Sequence, residues 1–177
     1  MKIWFTSDTH FGHDNIIKYC KRPFKSIDHM NMELIRKWNE RVKPEDTVYF
    51  LGDFCFRNTA GGKKGEGMLH NAEHWKSQLN GNIVFIKGNH DKNNSLKTHL
   101  FSAILEYGGE LIYMIHNPRD YEDSFKINLV GHIHGAWKIK RQGKSILINV
   151  GTDVWNFMPI DYDEIKVEID KLIKGEK

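Results

Sequence analysis

The sequence predicts an α/β fold, and three observations carry that expectation. Six short runs rich in β-branched and aromatic residues read as strands: IWFT (3–6), TVYFL (47–51), IVFI (83–86), ELIYMI (110–115), INLV (127–130) and ILINV (146–150). Helical periodicity fills several of the gaps between them. Five of the runs are followed at once by ionisable or amide side chains, as expected where parallel strands share a carboxyl edge that holds a ligand.

Taken in order, the runs are mostly continuous in apolar character, which predicts strands buried on both faces. After the first run, Ile27, Met30, Asn31, Leu34, Ile35, Trp38 and Val42 mark one face of a helix, with Ser26 or Asp28 as N-cap and Pro44 beyond its end. A weaker helical pattern runs from about His70 to Leu79 and stops before Asn80-Gly81. Another spans Leu96 to Tyr107 before Gly108-Gly109. Later the order becomes strand and turn: AWKIK, Gln142-Gly143 and SILINV read as a hairpin, and KVEI (166–169) as a last short strand. The segment NTAGGKKGEG (58–67) is the clearest loop. No internal repeat or linker interrupts the chain, and 177 residues suit one domain, 1–177, with one sizeable core.

Composition narrows the class. With 40% hydrophobic and 28% charged residues, and no apolar run near the roughly eighteen that a membrane span needs, the chain reads as a soluble globular protein. Its start does not resemble a secretory signal, so the expected compartment is the cytoplasm. Cys20 and Cys55 are the only cysteines, too few for a disulfide framework. A net charge of +3 is mild, with one short basic patch at Lys138, Lys140, Arg141 and Lys144. That patch permits nucleic-acid binding without arguing for it. Histidine is the departure from ordinary usage, with ten in the chain.

Half of those histidines fall at the strand ends. Asp8 and His10 follow the first run, Asp53 the second, Asn89, His90 and Asp91 the third, His116 the fourth, and His132 and His134 the fifth. Asp8 and His10 are two apart, as are His132 and His134, so in extended backbone each pair would reach one ion. Setting His90 aside, two aspartates, one asparagine and four histidines are too many for one tetrahedral site and suit two ions sharing a carboxylate. Nitrogen and oxygen donors without thiolate favour manganese, iron, zinc or nickel over magnesium alone.

In these blocks the chain resembles the calcineurin-like metallophosphoesterase family: SDTH (7–10), GD (52–53), GNHD (88–91), the histidine of IHN (115–117) and GHIHG (131–135) stand in the family's order from Ile3 to about Gly151. The opening FTSDTHFGHDNIIKYCKRPF, with LGD, is similar to a small single-domain subgroup found in bacteria, archaea and phages. One departure is Ile115, which stands where many members have glycine. The resemblance implies two mixed β-sheets packed as a sandwich and flanked by helices, and hydrolysis of a phosphoester. It implies two divalent metal ions, manganese first among the choices. Asp8, His10, Asp53 and His134 would hold one and Asp53, Asn89, His116 and His132 the other, with Asp53 and a hydroxide bridging them.

On that reading the bridging hydroxide attacks phosphorus, His90 meets the leaving oxygen as proton donor or charge-stabilising partner, and Asp91 orients the His90 ring. Softer expectations make His13, Arg57, Arg119 and Asn156 substrate contacts, and Asp153 and Asp161 loop residues. The expected activity is that of a phosphodiesterase acting on a small phosphoester or nucleotide, as a monomer or small homo-oligomer. Behind it stand a metal-dependent nuclease or phosphomonoesterase and, outside enzymes, a metal-binding scaffold of the same fold.

Overall fold

The computed structural model describes residues 1–56, 70–92 and 94–175; the expected loop at 58–67 and Arg57 lie outside the described residues. Two mixed β-sheets pack face to face. In the first, β1 (Ile3–Thr6), β2 (Thr47–Leu51) and β3 (Asn82–Ile86) run parallel in the order β3-β2-β1, and β9 (Ile160–Asp161) adds an antiparallel edge beside β1. The second has the order β4-β5-β6-β8-β7, from β4 (Ser102–Tyr107), β5 (Glu110–Ile115), β6 (Ile127–Val130), β7 (Ile139–Gln142) and β8 (Ser145–Asn149). Its inner strands β5, β6 and β8 are parallel, with antiparallel partners outside.

Period-2 alternation divides the apolar residues of the first sheet between two cores. Phe5, Leu51 and Ile86 point at the second sheet, where Ile112, Met114, Leu129 and Ile148 meet them. Trp4, Val48, Phe50 and Phe85 point the other way, onto α2 (Ile27–Arg41) and α3 (Ala72–Lys76), through Leu34, Trp38 and Trp75. The α2 stripe Met30, Leu34 and Trp38 is buried at helical spacing, and Ser26 caps the helix by accepting a hydrogen bond from the His29 amide. The strands β6 and β8 are buried at every residue, their mostly apolar sequence interrupted only by the buried polar side chains of Asn128, Ser145 and Asn149.

Three expectations are corrected. Residues expected to continue a helix to Tyr107 form strand β4 instead. Gly108 and Gly109 do not stop a helix: both have positive φ, 63° and 79°, and make the two-residue hairpin that turns β4 onto β5. The expected strand at 166–169 lies inside α4 (Tyr162–Lys174). Asp161 accepts from the Glu164 amide and Glu164 from the Asp161 amide, a capping box that starts a helix burying Tyr162, Ile165 and Ile169. The weak helix near 70–79 contracts to α3, capped by Asn71. The short helix α1 (Asp14–Tyr19) and strand β9 had no expectation.

Because β1, β2, β3, β5, β6 and β8 share a direction within their sheets, their carboxyl ends form one rim. A parallel bridge between Ser7 and Gly151 joins the two sheets there. No helix among the described residues is long and apolar enough to cross a membrane.

Candidate metal centre

The side chains at this rim gather into two clusters with ligand atoms within 4.8 Å of one another, Asp8, His10 and His134, and Asp53, His116 and His132; behind the first, a further such group joins His134 to Cys20 and Asp153. Asp53 faces both. Its Oδ2 lies 3.6 Å from His10 Nε2 in one direction and 3.4 Å from His116 Nε2 in the other. Asn89 completes the second cluster, with Oδ1 3.0 Å from His116 Nε2 and 2.8 Å from His132 Nδ1.

The backbone that delivers these groups is not extended. Asp8, His10, Asp53, His132 and His134 all have positive φ, between 49° and 73°. Such left-handed turns cost an L-residue about 1 kcal/mol or more each, so the surrounding contacts must hold them. They do: the Asp8 amide donates to Gly52 O and the His10 amide to Asp53 O, lacing the first loop to the second. The turns also correct the simple spacing argument, because His132 and His134 go to different clusters. Two glycines allow the close approach. A Cβ on Gly88 would stand 2.2 Å from Asp53 Oδ1, and one on Gly131 would stand 2.6 Å from Asp8 Oδ2.

The donor set fits divalent cations. His10 Nε2 is buried with no hydrogen-bond partner among the described residues, and carboxylate oxygens of Asp53 and Asp8 face it at 3.6 and 4.0 Å. A buried nitrogen left unpaired at ligand spacing from two carboxylates is expensive unless an ion fills the gap. The outer hydrogen bonds set the tautomers. His116 Nδ1 donates to the Leu51 carbonyl at 2.6 Å, and His134 Nδ1 lies 3.0 Å from Asp153 Oδ2, so the Nε2 lone pairs are left for a metal.

Electrostatics mark the same residues. Burial opposes charge on His116, but the Asp53 and Asp8 carboxylates beside it raise its pKa to about 9. Burial likewise opposes charge on His134, and Asp153, with Cys20 and Asp8, raises it to about 10. Asp53 is held well below the ordinary carboxylate range against its burial, by His116 and His10. Burial raises Asp8 and lowers His10 and His132.

His90 stands beside the first cluster. Its amide donates to Asp53 Oδ1 at 2.8 Å, and its exposed ring meets the His10 ring edge-on at 5.5 Å. Asp91 does not orient that ring. Its carboxylate accepts from the amides of Asp53, Phe54 and Gly88 and from Asn94 Nδ2, all at 2.7–3.0 Å. It ties the loop after β2 to the loop after β3. His13, at the start of α1, stacks on Phe56 and lines a small cavity with His10 and His90. The buried Cys55 also lines that cavity, but burial pushes its thiol up to about 12, so it offers no thiolate at neutral pH.

The other expected substrate contacts lie elsewhere. Arg119 is exposed in the turn Pro118–Asp120, and its neighbours Asn117 and Asp120, not its own side chain, line the cavity beside the second cluster. Asn156, in a turn with φ 52°, accepts a hydrogen bond from Lys37 and lines a separate groove against α4.

Sequence reasoning missed the residues that hold the ligands. Asp153 joins His134 to Arg22, whose guanidinium binds both carboxylate oxygens at 2.8 Å and also donates to the Asp8 and Thr9 carbonyls. An acidic residue two positions beyond the glycine that ends a buried strand was the available signal for Asp153. Arg22 carried none, because its partner is 131 residues away.

Comparison with known proteins places the chain. A model of the calcineurin-like phosphoesterase superfamily domain matches residues 1–160. An uncharacterized protein of Methanocaldococcus jannaschii is 40% identical over 179 residues, spanning 96% of this chain and 92% of its own. The Gene 66 protein of Mycobacterium phage L5 is 25% identical over 197 residues, spanning 92% and 91% respectively. Among solved structures, a protein of unknown function from Aquifex aeolicus superposes with a TM-score of 0.68 at 27% identity, covering 97% of this chain and 98% of that one. The matched model spans every strand-end residue of both clusters, and the chain belongs to the calcineurin-like phosphoesterase superfamily.

Proposed function

We propose that this protein is a metal-dependent phosphodiesterase that uses two divalent cations, manganese first among them, to hydrolyse a small phosphoester or nucleotide. The observation that carries the reading is Asp53 Oδ2, which stands between His10 and His116, one histidine from each cluster. Asp8, His10, Asp53 and His134 would hold one ion, and Asp53, Asn89, His116 and His132 the other. Bound there, two cations supply Lewis acidity that neutralises phosphate oxygens and makes hydroxide available from water near neutral pH.

The chain's own residues do the rest. Neutral Asn89 adds an oxygen donor without another negative charge, which leaves the centre attractive to a phosphate anion. His90, fixed through its amide to the Asp53 carboxylate and open to solvent, donates a proton to the departing oxygen. No side-chain nucleophile is needed, and the Cys55 thiol that lines the small cavity is held protonated. Asp91 serves by fixing the backbone of Asp53 and Gly88.

The test is a metal-reconstituted activity screen on matched phosphomonoesters, linear diesters and 2',3'- and 3',5'-cyclic nucleotides. Faster manganese-dependent turnover of diesters than of monoesters is expected. Monoester preference would move the reading to a phosphatase. Less than one bound metal and no hydrolysis after manganese or nickel loading would favour a scaffold.

A further inference from the structure

Resting on that reading, we propose that the site takes an asymmetric phosphodiester whose retained ester arm, the one that stays on phosphorus, carries a planar aromatic group such as a nucleobase or aryl ring. This group occupies the cavity beside the second cluster and stacks on Phe101.

The metal centre lies between two cavities of different size and character. The smaller, about 160 Å³, is lined by His10, His13, Phe56 and His90, and so holds the proton donor. The larger, about 530 Å³, is lined by Asn89, His116 and His132 on the metal side and by Phe101 and Ile115 on the far side. Asn89 and Lys92 border both, so a phosphate at the two clusters has one cavity on each side. The volume of the larger falls in the range of small-molecule sites and exceeds what a bare phosphate fills.

Its chemistry suits a ring. Phe101 precedes β4 with 66% of its surface exposed, a large apolar face with no structural duty in the core. Lys87 Nζ sits 5.6 Å from the centre of that ring, and the Lys87 amide donates to Leu100 O, so the backbone segments that carry the aromatic and the cation are joined. Stacking on an aromatic side chain with a cation nearby is how proteins bind bases without reading their sequence. Asn117 and Asp120 at the margin offer hydrogen-bonding groups to a ring's edge.

Position assigns the arms. The leaving oxygen must lie near His90, hence on the side of the small cavity, so the retained arm points into the large one. In the step, water's oxygen bonds to phosphorus and the bond to the leaving oxygen breaks. That oxygen takes a proton from His90, which regains one from the proton that water sheds. The products are an alcohol and a phosphomonoester still carrying the aromatic arm.

The experiment holds the leaving group constant as 4-nitrophenol and varies the retained arm among none, methyl, phenyl and 5'-thymidyl, using the manganese-loaded protein. We expect KM for the phenyl and thymidyl esters about tenfold below that of the methyl ester, with kcat changing much less. Phe101→Ala should collapse that difference and Phe101→Trp should keep or widen it. Calorimetry should show phenyl phosphate binding more tightly than methyl phosphate, and the margin should vanish in Phe101→Ala. Equal KM values for methyl and phenyl esters, or an equal loss for all esters in Phe101→Ala, would overturn the inference. Absence of turnover for all four esters would instead count against the phosphoesterase reading.

Discussion

Asp153 binds His134 and Arg22 with the same carboxylate: its Oδ2 lies 3.0 Å from His134 Nδ1 and 2.8 Å from Arg22 Nη2, while its Oδ1 accepts from Arg22 Nε. The Arg22 side chain is fully buried, so this is a fixed bracket behind a metal-facing histidine. Burial raises the carboxyl's pKa, but His134 and Arg22 prevail and hold it down at about 2. Removing the bracket frees the His134 ring to rotate and to change tautomer. Asp153→Asn is therefore expected to weaken metal binding about tenfold to a hundredfold, the usual cost of losing such a partner. Calorimetric titration with manganese checks this; unaltered affinity in a folded variant would show that the bracket does not position the ligand.

His90 is expected to matter for turnover and not for metal content. His90→Ala should bind metal like the wild type and lose about a hundredfold or more in kcat, the range for a missing general acid. Esters with very acidic leaving groups should suffer least. Full turnover with two metals bound would remove His90 from the mechanism.

Asp91 separates a structural from a catalytic role. It accepts four hydrogen bonds in a buried position, three of them from backbone amides. Asp91→Ala leaves those donors unpaired and is expected to cost about 3 kcal/mol of stability or more, seen as a lower denaturant midpoint. A variant as stable as the wild type but inactive would return Asp91 to catalysis.

Asp46 sets an acid limit away from the metal centre. It accepts from the Lys2 and Lys43 amides and from Trp4 Nε1, and these bonds lower its pKa from 3.8 to about 2. A folded pKa below the unfolded one gives stability that is fully present above about pH 4 to 5 and is lost as pH falls through about 2. Asp46→Asn should flatten stability against pH in that window, measured by urea unfolding at several pH values. An unchanged slope would mean that the Asp46 carboxylate is not linked to folding.

The sequence made the rim legible and its supports illegible, for a physical reason. A metal ligand must be ionisable or amide-bearing and must sit where a buried strand ends, so Asp53 after TVYFL and His116 after ELIYMI stand out by type and position. Asp153 and Arg22 are also polar and buried, but they meet across 131 residues, and neither has a local pattern that announces the other. The same limit explains β4. Its apolar residues, with the glycines at 108 and 109, suit a helix end as well as a hairpin, and only pairing with β5 decides between them. In α4 the local signal was present, as Asp161 and Glu164 in capping-box spacing, but the short apolar alternation of KVEI masked it.

Everything proposed for catalysis depends on two cations sharing Asp53. The direct measurement is an anomalous difference map from crystals of the manganese-loaded protein. Two peaks are expected, one against Asp8, His10 and His134 and the other against Asn89, His116 and His132, with Asp53 bonded to both. A single peak at full loading, or two peaks of which only one touches Asp53, would contradict the account.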